Sequence, residues 1–251
     1  MTPTSGTELT IAARFRGPAR SGNGGYTAGS LAALVLGDRD PEAVEVTLRQ
    51  PPPLDVAMSV QRLESDDVTW LLVGEARIAE ARVVDLGLDP VEAVDSSEAK
   101  AAERGFPGLR EHPFPTCFAC GTARAEGDGM RIFPGPVGDR MAALWTPHAS
   151  LAEHHDLSRE PARVGPGPAW AALDCIGGWA GDMEGRKMVL GRMTAQVDAL
   201  PTVGEPHVVV GRSLGQQGRK TFTASTLYDA DGWVVARAQH VWIEIDPDAF
   251  N

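Results

Sequence analysis

The sequence has little of several features that mark particular classes of protein. It holds only three cysteines in 251 residues, an odd number too small for a disulfide framework. Lysine and arginine total 23 against 34 acidic residues, and no basic stripe is long enough for a nucleic-acid surface. No apolar run approaches the roughly 20 residues of a membrane span. We therefore expect no disulfide scaffold, no nucleic-acid partner and no membrane insertion.

The first ten residues also lack the basic start and apolar core of a signal peptide. With so few cysteines, this predicts a cytoplasmic protein. Glycine (28 residues) and proline (19 residues) are abundant. They favour a fold with many turns and strands over a helical bundle.

The most informative segment is a helix, predicted over residues 165–181, that is apolar on every face. Such a helix is normally enclosed by the rest of the protein, yet Asp174 lies in its middle. An enclosed carboxylate is paired, protonated or functional. Burial beside Trp170 predicts a raised pKa for Asp174, which suits a general base or a nucleophile that forms an anhydride. The structural alternative is that Asp174 only bonds an amide at the start of another helix.

A second apolar helix is predicted over residues 26–36, directly after Asn23-Gly24-Gly25. The amides at a helix start are unpaired, and glycines let a substrate carbonyl approach them closely. Such donors would stabilise the oxyanion of an attacked thioester, and Asn23 adds a side-chain donor or orients a water. A lone Gly-Gly pair is equally typical of a tight turn.

The two halves of the chain share one predicted order: strand, loop with glycines, apolar helix, antiparallel strands. Strands are predicted over residues 44–48, 56–63, 68–73, 76–84, 130–133, 140–145, 187–197, 207–214, 220–228 and 233–245. Between the halves, a polar helix over residues 92–104 is predicted to be exposed. We predict an α+β fold with an N-terminal unit (1–86), a linker (87–113) and a C-terminal unit (114–251).

A long apolar helix followed by a meander of strands resembles the hotdog fold, in which a curved antiparallel sheet wraps one central helix. Two copies in one chain resemble the double-hotdog acyl-CoA thioesterases. In the first half the resemblance rests on residues 15–26 and 46–53. In the second half it rests on Cys117-Phe118-Ala119-Cys120-Gly121 and Gly129-Met130-Arg131-Ile132, which look like the entry segment of small single-hotdog thioesterases.

The resemblance implies an acyl-CoA thioester hydrolase. In the family, the glycine-rich start of one helix faces the thioester carbonyl, and a carboxylate from the other unit's helix attacks it or activates water. His-Gly-Gly often stands at the helix start, with an acid further along. Here Asn23 stands at the His position and Ala32 lies nine residues on, whereas Gly165 and Asp174 hold the same spacing in the other half.

One half therefore keeps the glycines and the other keeps the acid. We predict one composite catalytic site per chain, between the two units, formed by Asn23, Gly24, Gly25 and Asp174.

The resemblance further implies that coenzyme A enters only as part of the substrate, with no separate cofactor. Its phosphates need cations, which we predict at Arg212, Arg219 and Lys220 near a strand turn; an exposed hairpin tip gives the same pattern. Trp170 and Tyr26 are predicted to contact the substrate. At the family level, a homodimer is expected.

Cys117-x-x-Cys120 also suggests a zinc or redox site. Tetrahedral zinc needs four ligands. His112 could supply a third, but the sequence offers no matching second pair. We therefore predict no metal site, and Cys175 is predicted to be a small buried hydrophobe.

A function from another class stays open. The missing helix-start His, and prolines at Pro166 and Pro168, favour a non-catalytic acyl-CoA or small-ligand binding protein on the same scaffold. A hotdog hydratase is disfavoured, because that family pairs the acid with a nearby His and none follows Asp174 before His207.

Overall fold

A computed structural model describes residues 7–63, 67–153 and 161–246. Within them, eleven strands form one antiparallel sheet: β1 (Glu8–Thr10), β2 (Ala43–Leu48), β3 (Ala57–Leu63), β4 (Val68–Val73), β5 (Ala76–Val84), β6 (Gly135–Val137), β7 (Arg140–Trp145), β8 (Met188–Val197), β9 (His207–Gln217), β10 (Lys220–Tyr228) and β11 (Val234–Glu244). The α-helices of this part of the chain are α1 (Gly24–Leu36), α2 (Ser96–Ala102) and α3 (Pro166–Ala180).

The strand order is β1-β3-β4-β5-β2-β8-β11-β10-β9-β7-β6. Strands from the first half of the chain thus form one end of the sheet, and strands from the second half form the other. The two groups join where β2 pairs with β8, through Val44 opposite Ala195 and Val46 opposite Met193. All four side chains are buried. This large antiparallel sheet with few helices confirms the α+β class.

Helix α1 ends at the predicted residue but begins two residues earlier than predicted, at Gly24, and it is capped at both ends. The Asn23 side chain accepts a hydrogen bond from the Tyr26 amide at 2.8 Å, which satisfies one of the unpaired donors of the first turn. At the other end, Gly37 takes a left-handed φ of 57° and its amide donates to Ala33. Helix α1 is therefore defined by the residues that flank its apolar stretch.

Helix α3 is enclosed on every side, as the sequence predicts. Every residue from position 167 to 179 is buried, including Asp174. The helix begins at Pro166, whose missing amide costs nothing at this position, and Gly181 follows its last residue.

Helices α1 and α3 pack against each other in antiparallel directions, and glycines set their separation. A Cβ at Gly29 would lie 2.6 Å from the Trp170 Cβ and 2.7 Å from the Pro166 carbonyl oxygen. A Cβ at Gly25 would collide with the Asp174 side chain. The Gly25 and Gly29 positions therefore let Trp170 and Asp174 lie directly on the α1 backbone.

One core cluster contains side chains from both halves, among them Leu31 and Val46 from the first and Leu173 and Met193 from the second. The division of the chain at residues 86 and 113 stays a prediction.

The helix expected over residues 92–104 is shorter than predicted, because α2 spans only Ser96–Ala102. Most of its residues are exposed, as expected, but Ala99 is fully buried. It belongs to a second cluster that includes Val208 and Val210 of β9, whereas Val209 belongs to the main core. Successive β9 residues point to opposite faces, so α2 and its neighbours cover an apolar outer face of the sheet.

The strand predicted over residues 130–133 is also wrong. Met130 and Ile132 donate to the carbonyls of Phe118 and Ala119, at 2.8 and 2.9 Å, and β6 starts only at Gly135. The apolar pattern thus reflects burial against a loop. Separately, none of the helices within residues 7–63, 67–153 and 161–246 has the length and apolar content to cross a bilayer.

We predict that Gly29→Ala destabilises the protein by about 1–3 kcal/mol, since the added methyl overpacks the contact with Trp170. This outcome opposes helix propensity, which favours alanine over glycine by about 1 kcal/mol. Urea unfolding followed by circular dichroism measures the change. Gly87→Ala is the control, because a Cβ at Gly87 meets no atom within 4 Å. Equal stability of both variants would contradict the close helix contact.

Candidate functional site

A cavity of about 280 Å³ lies where the start of α1 meets the middle of α3. Asn23 and Gly24 line it from the α1 side, and Asp174 and Cys175 from the α3 side. Leu190 of β8 adds an apolar wall. The structure therefore brings both parts of the predicted composite site to one cavity.

The Asp174 carboxylate contacts the start of α1 directly. Its Oδ2 accepts a hydrogen bond from the Gly25 amide at 2.8 Å. This is the contact that the structural interpretation of Asp174 predicts. The other oxygen, Oδ1, is buried and has no hydrogen-bond partner among the described residues. One oxygen thus holds the carboxylate in place, and the other is a buried acceptor whose hydrogen bond is not made by any described residue.

Burial raises the pKa of Asp174 from 3.8 to about 7, as the sequence predicts in direction. The Gly25 hydrogen bond opposes this rise by stabilising the anion, Cys117 adds to it, and the Asn23 side chain opposes it weakly. Near neutral pH, both protonation states of Asp174 are therefore populated.

The amides of the first α1 turn are only partly available. The Gly25 amide is occupied by Asp174. The Gly24 amide donates to no group among the described residues, and Gly24 lines the cavity. A Cβ at Gly24 would lie 2.9 Å from the Leu190 Cβ. Position 24 therefore needs glycine for packing and offers one open donor at a helix N-terminus.

Three thiols lie beside Asp174, and sequence reasoning missed this cluster. The sulfurs of Cys117, Cys120 and Cys175 all lie within 4.8 Å of one another, and the three residues are buried, reduced and line the cavity. Hydrogen bonds from Cys120 and Cys175 hold the pKa of Cys117 well below its usual value. The signal in the sequence that could have indicated this cluster is the position of Cys175, directly after Asp174.

His112 does not point a free nitrogen at these sulfurs. Burial lowers the pKa of His112, so the ring is neutral near pH 7. Its Nδ1 accepts from the Phe114 amide at 3.0 Å, and its Nε2 therefore carries the proton and lies 3.1 Å from the Cys120 carbonyl oxygen. The histidine considered as a third ligand from sequence is thus a structural residue of the loop.

Of the three cationic residues predicted to contact the substrate, only one lines the cavity. Arg219 lines the cavity, and its guanidinium donates to the Glu244 carbonyl at 2.7 Å. Arg212 and Lys220 are exposed on β9 and β10, outside the cavity lining formed by the described residues. Arg49, which the sequence did not single out, also lines the cavity and pairs with Glu80.

The two predicted aromatic contacts, Trp170 and Tyr26, also lie outside this lining. Trp170 packs on Gly29. Tyr26 stacks on Phe15 with ring centroids 3.9 Å apart, and burial raises its pKa to about 12. Trp179 and Trp242 line the cavity instead.

Comparison with solved structures finds similar folds over nearly the whole chain. A candidate thioesterase from Novosphingobium aromaticivorans is 11% identical, with a TM-score of 0.60 and 95% of each chain covered. The tesB protein of Mycobacterium avium subsp. paratuberculosis is 12% identical, with a TM-score of 0.57 and coverage of 91% of this chain and 89% of that one.

A conserved protein with a hot dog fold from Alicyclobacillus acidocaldarius is 11% identical, with a TM-score of 0.52 and coverage of 96% and 93%. No family model and no curated protein sequence matches the chain. The resemblance to hotdog-fold thioesterases is thus confirmed for the fold.

We predict that Asp174→Asn stabilises the protein at pH 8 and has little effect at pH 4. The folded-state pKa of about 7 lies above the ordinary 3.8, so the unfolded state releases its proton first. Wild-type stability therefore falls as pH rises from about 4 to 7, by up to about 4 kcal/mol. The side-chain amide of the Asp174→Asn variant does not ionise, so the stability of the variant does not fall over this pH range.

Urea unfolding of both proteins between pH 4 and pH 8 measures the difference. Asp89→Asn is the matched control, because Asp89 is exposed and should behave like wild type throughout. A stability gap that does not change with pH would contradict the raised pKa.

Proposed function

We propose that this protein hydrolyses acyl thioesters of coenzyme A at one composite site per chain. The observation that carries the proposal is the buried Asp174 carboxylate, which lines the cavity, is held by the Gly25 amide through Oδ2 and has no partner at Oδ1 among the described residues. In this proposal each half of the chain is one hotdog unit, and the two sheets are joined through β2 and β8.

Asp174 acts as the general base in this proposal. With Oδ2 fixed, Oδ1 accepts a proton from a water in the cavity, and the resulting hydroxide attacks the thioester carbonyl. The pKa of about 7 allows the group to accept and return that proton near neutral pH. The coenzyme A thiolate then leaves, and the acid is released.

The developing oxyanion needs a donor that the ground state leaves free. The Gly24 amide fits this need, since Gly24 lines the cavity at the positive end of α1 and its amide donates to no other described group. The Gly25 amide acts differently from the expectation, because it positions the base. Asn23 holds the turn by capping Tyr26.

The remaining walls suit the two parts of an acyl-CoA. Trp179, Met188 and Leu190 provide apolar contacts for an acyl chain. Arg49 and Arg219 provide cations for phosphate groups.

The bond between Gly25 and Asp174 also favours a second function. A carboxylate that caps a helix start is a structural group, and a cavity beside it can bind an acyl-CoA without cleaving it. This non-catalytic binding protein predicts saturable binding with no product. Association of two chains and a cytoplasmic location stay predictions.

We predict that wild type releases coenzyme A from at least one member of an acyl-CoA series, and that Asp174→Asn lowers kcat by about 10²–10⁴-fold, as expected for loss of a general base. A thiol-reactive dye measures release, and Asp89→Asn is the control. Turnover on no chain length, with binding seen by calorimetry, would support the binding protein. An unimpaired Asp174→Asn variant would contradict the role of Asp174.

We also predict that many turnovers in oxygen-18 water label the product acid and leave Asp174 unlabelled. A general base never forms a bond to the acyl group, whereas a nucleophile forms an anhydride whose hydrolysis can place label in the carboxylate. Mass spectrometry of the peptide containing Asp174 measures the oxygen-18 content. Label in that peptide would show that Asp174 acts as a nucleophile and not as a general base.

A further inference from the structure

Three thiols from two separate segments meet at the cavity wall. Cys117 and Cys120 come from the loop before residue 121, and Cys175 comes from α3. Their sulfurs lie within 4.8 Å of one another, and Cys117 and Cys175 are 3.6 Å apart. In a tetrahedral zinc site, Zn–S bonds of ~2.3 Å place the sulfurs about 3.8 Å apart. The triangle of sulfurs is thus close to the size that one ion requires.

We propose that Cys117, Cys120 and Cys175 bind one Zn²⁺ ion, with the fourth position open to the cavity. This proposal differs from our expectation of no metal site, which considered only Cys117, Cys120 and His112 as ligands. The proposal is independent of the proposed hydrolysis.

Hydrogen-bond donors already point at these sulfurs. The Asn23 Nδ2 lies 3.7 Å from both the Cys117 and the Cys175 sulfur. Donors of this kind stabilise thiolate ligands and hold them in position. They also offset part of the negative charge that three thiolates leave on a Zn²⁺ complex.

The loop that carries two of the ligands is fixed before any ion binds. The Gly121 amide donates to the Cys117 carbonyl at 2.9 Å. A Cβ at Gly121 would lie 2.6 Å from the Pro115 carbonyl oxygen and 2.7 Å from the Cys117 nitrogen. This tight turn therefore requires glycine directly after Cys120, and it presents both thiols on one side.

Within the part of the chain that the structure describes, the neighbouring polar groups supply no fourth protein ligand. His112 uses both ring nitrogens within its own loop. Asp174 is bound to Gly25 through Oδ2, and its oxygens are not part of the sulfur cluster. Because all three cysteines line the cavity, a water or small ligand there completes the tetrahedron.

The test is Zn²⁺ binding by the full-length reduced protein, measured in competition with a chromophoric chelator. We expect one Zn²⁺ per chain, with affinity that rises with pH because thiol ligands must lose protons. Co²⁺ in place of zinc should show thiolate-to-metal charge-transfer absorption. Failure of wild type to bind, or a Co²⁺ spectrum without that absorption, would overturn the proposal.

Variants identify the ligands. Cys175→Ser should weaken binding by more than about 100-fold, because loss of a ligand costs more than the roughly 10–100-fold typical of losing a supporting contact. Asp174→Asn and His112→Gln should keep one ion per chain, and loss in either would contradict the three-thiol assignment. Circular dichroism checks that the Cys175→Ser variant is folded. If the variant is unfolded, the Co²⁺ spectrum of the wild-type protein decides whether thiolates bind the metal. Since kinetics can be run with excess chelator, failure of hydrolysis and failure of metal binding are separate results.

Discussion

The close contact of α1 and α3 at Gly25 is the constraint on which the rest of the structure depends. Without a side chain at this position, the α3 carboxylate of Asp174 reaches the first-turn amide of α1. The sheet supports the contact, because β2 and β8 pair between the halves and share one core. A helix start from one half and an acid from the other therefore meet at one cavity.

The two halves differ at the positions that the proposed composite site uses. At the position equivalent to Asp174, α1 carries Ala32, which is buried in the core. The start of α3 contains Pro166 and Pro168, which have no amide hydrogen to donate. The first half thus provides amide donors without an acid. The second half provides an acid, but its helix start has fewer amide donors.

Local patterns predicted much of this arrangement, and tertiary contacts determined what they missed. The ends of α1 follow from Asn23 and Gly37, and the apolar character of residues 165–181 predicted the enclosure of Asp174. Local sequence does not determine which surface α2 packs against or why residues 130–133 form no strand. Both depend on apolar surfaces that distant parts of the chain leave exposed. The thiol cluster joins Cys175 to Cys117 across 58 positions, and spacing rules for metal sites read only ligands that are close in sequence.

The most direct test is a crystal structure of the full chain with a non-hydrolysable acyl-CoA analogue in which a ketone replaces the thioester and keeps the acyl oxygen. We expect the acyl oxygen to accept from the Gly24 amide and the acyl carbon to face Asp174 Oδ1 across one water. An analogue bound away from this cavity, or with its acyl carbon on the far side from Asp174, would contradict the account.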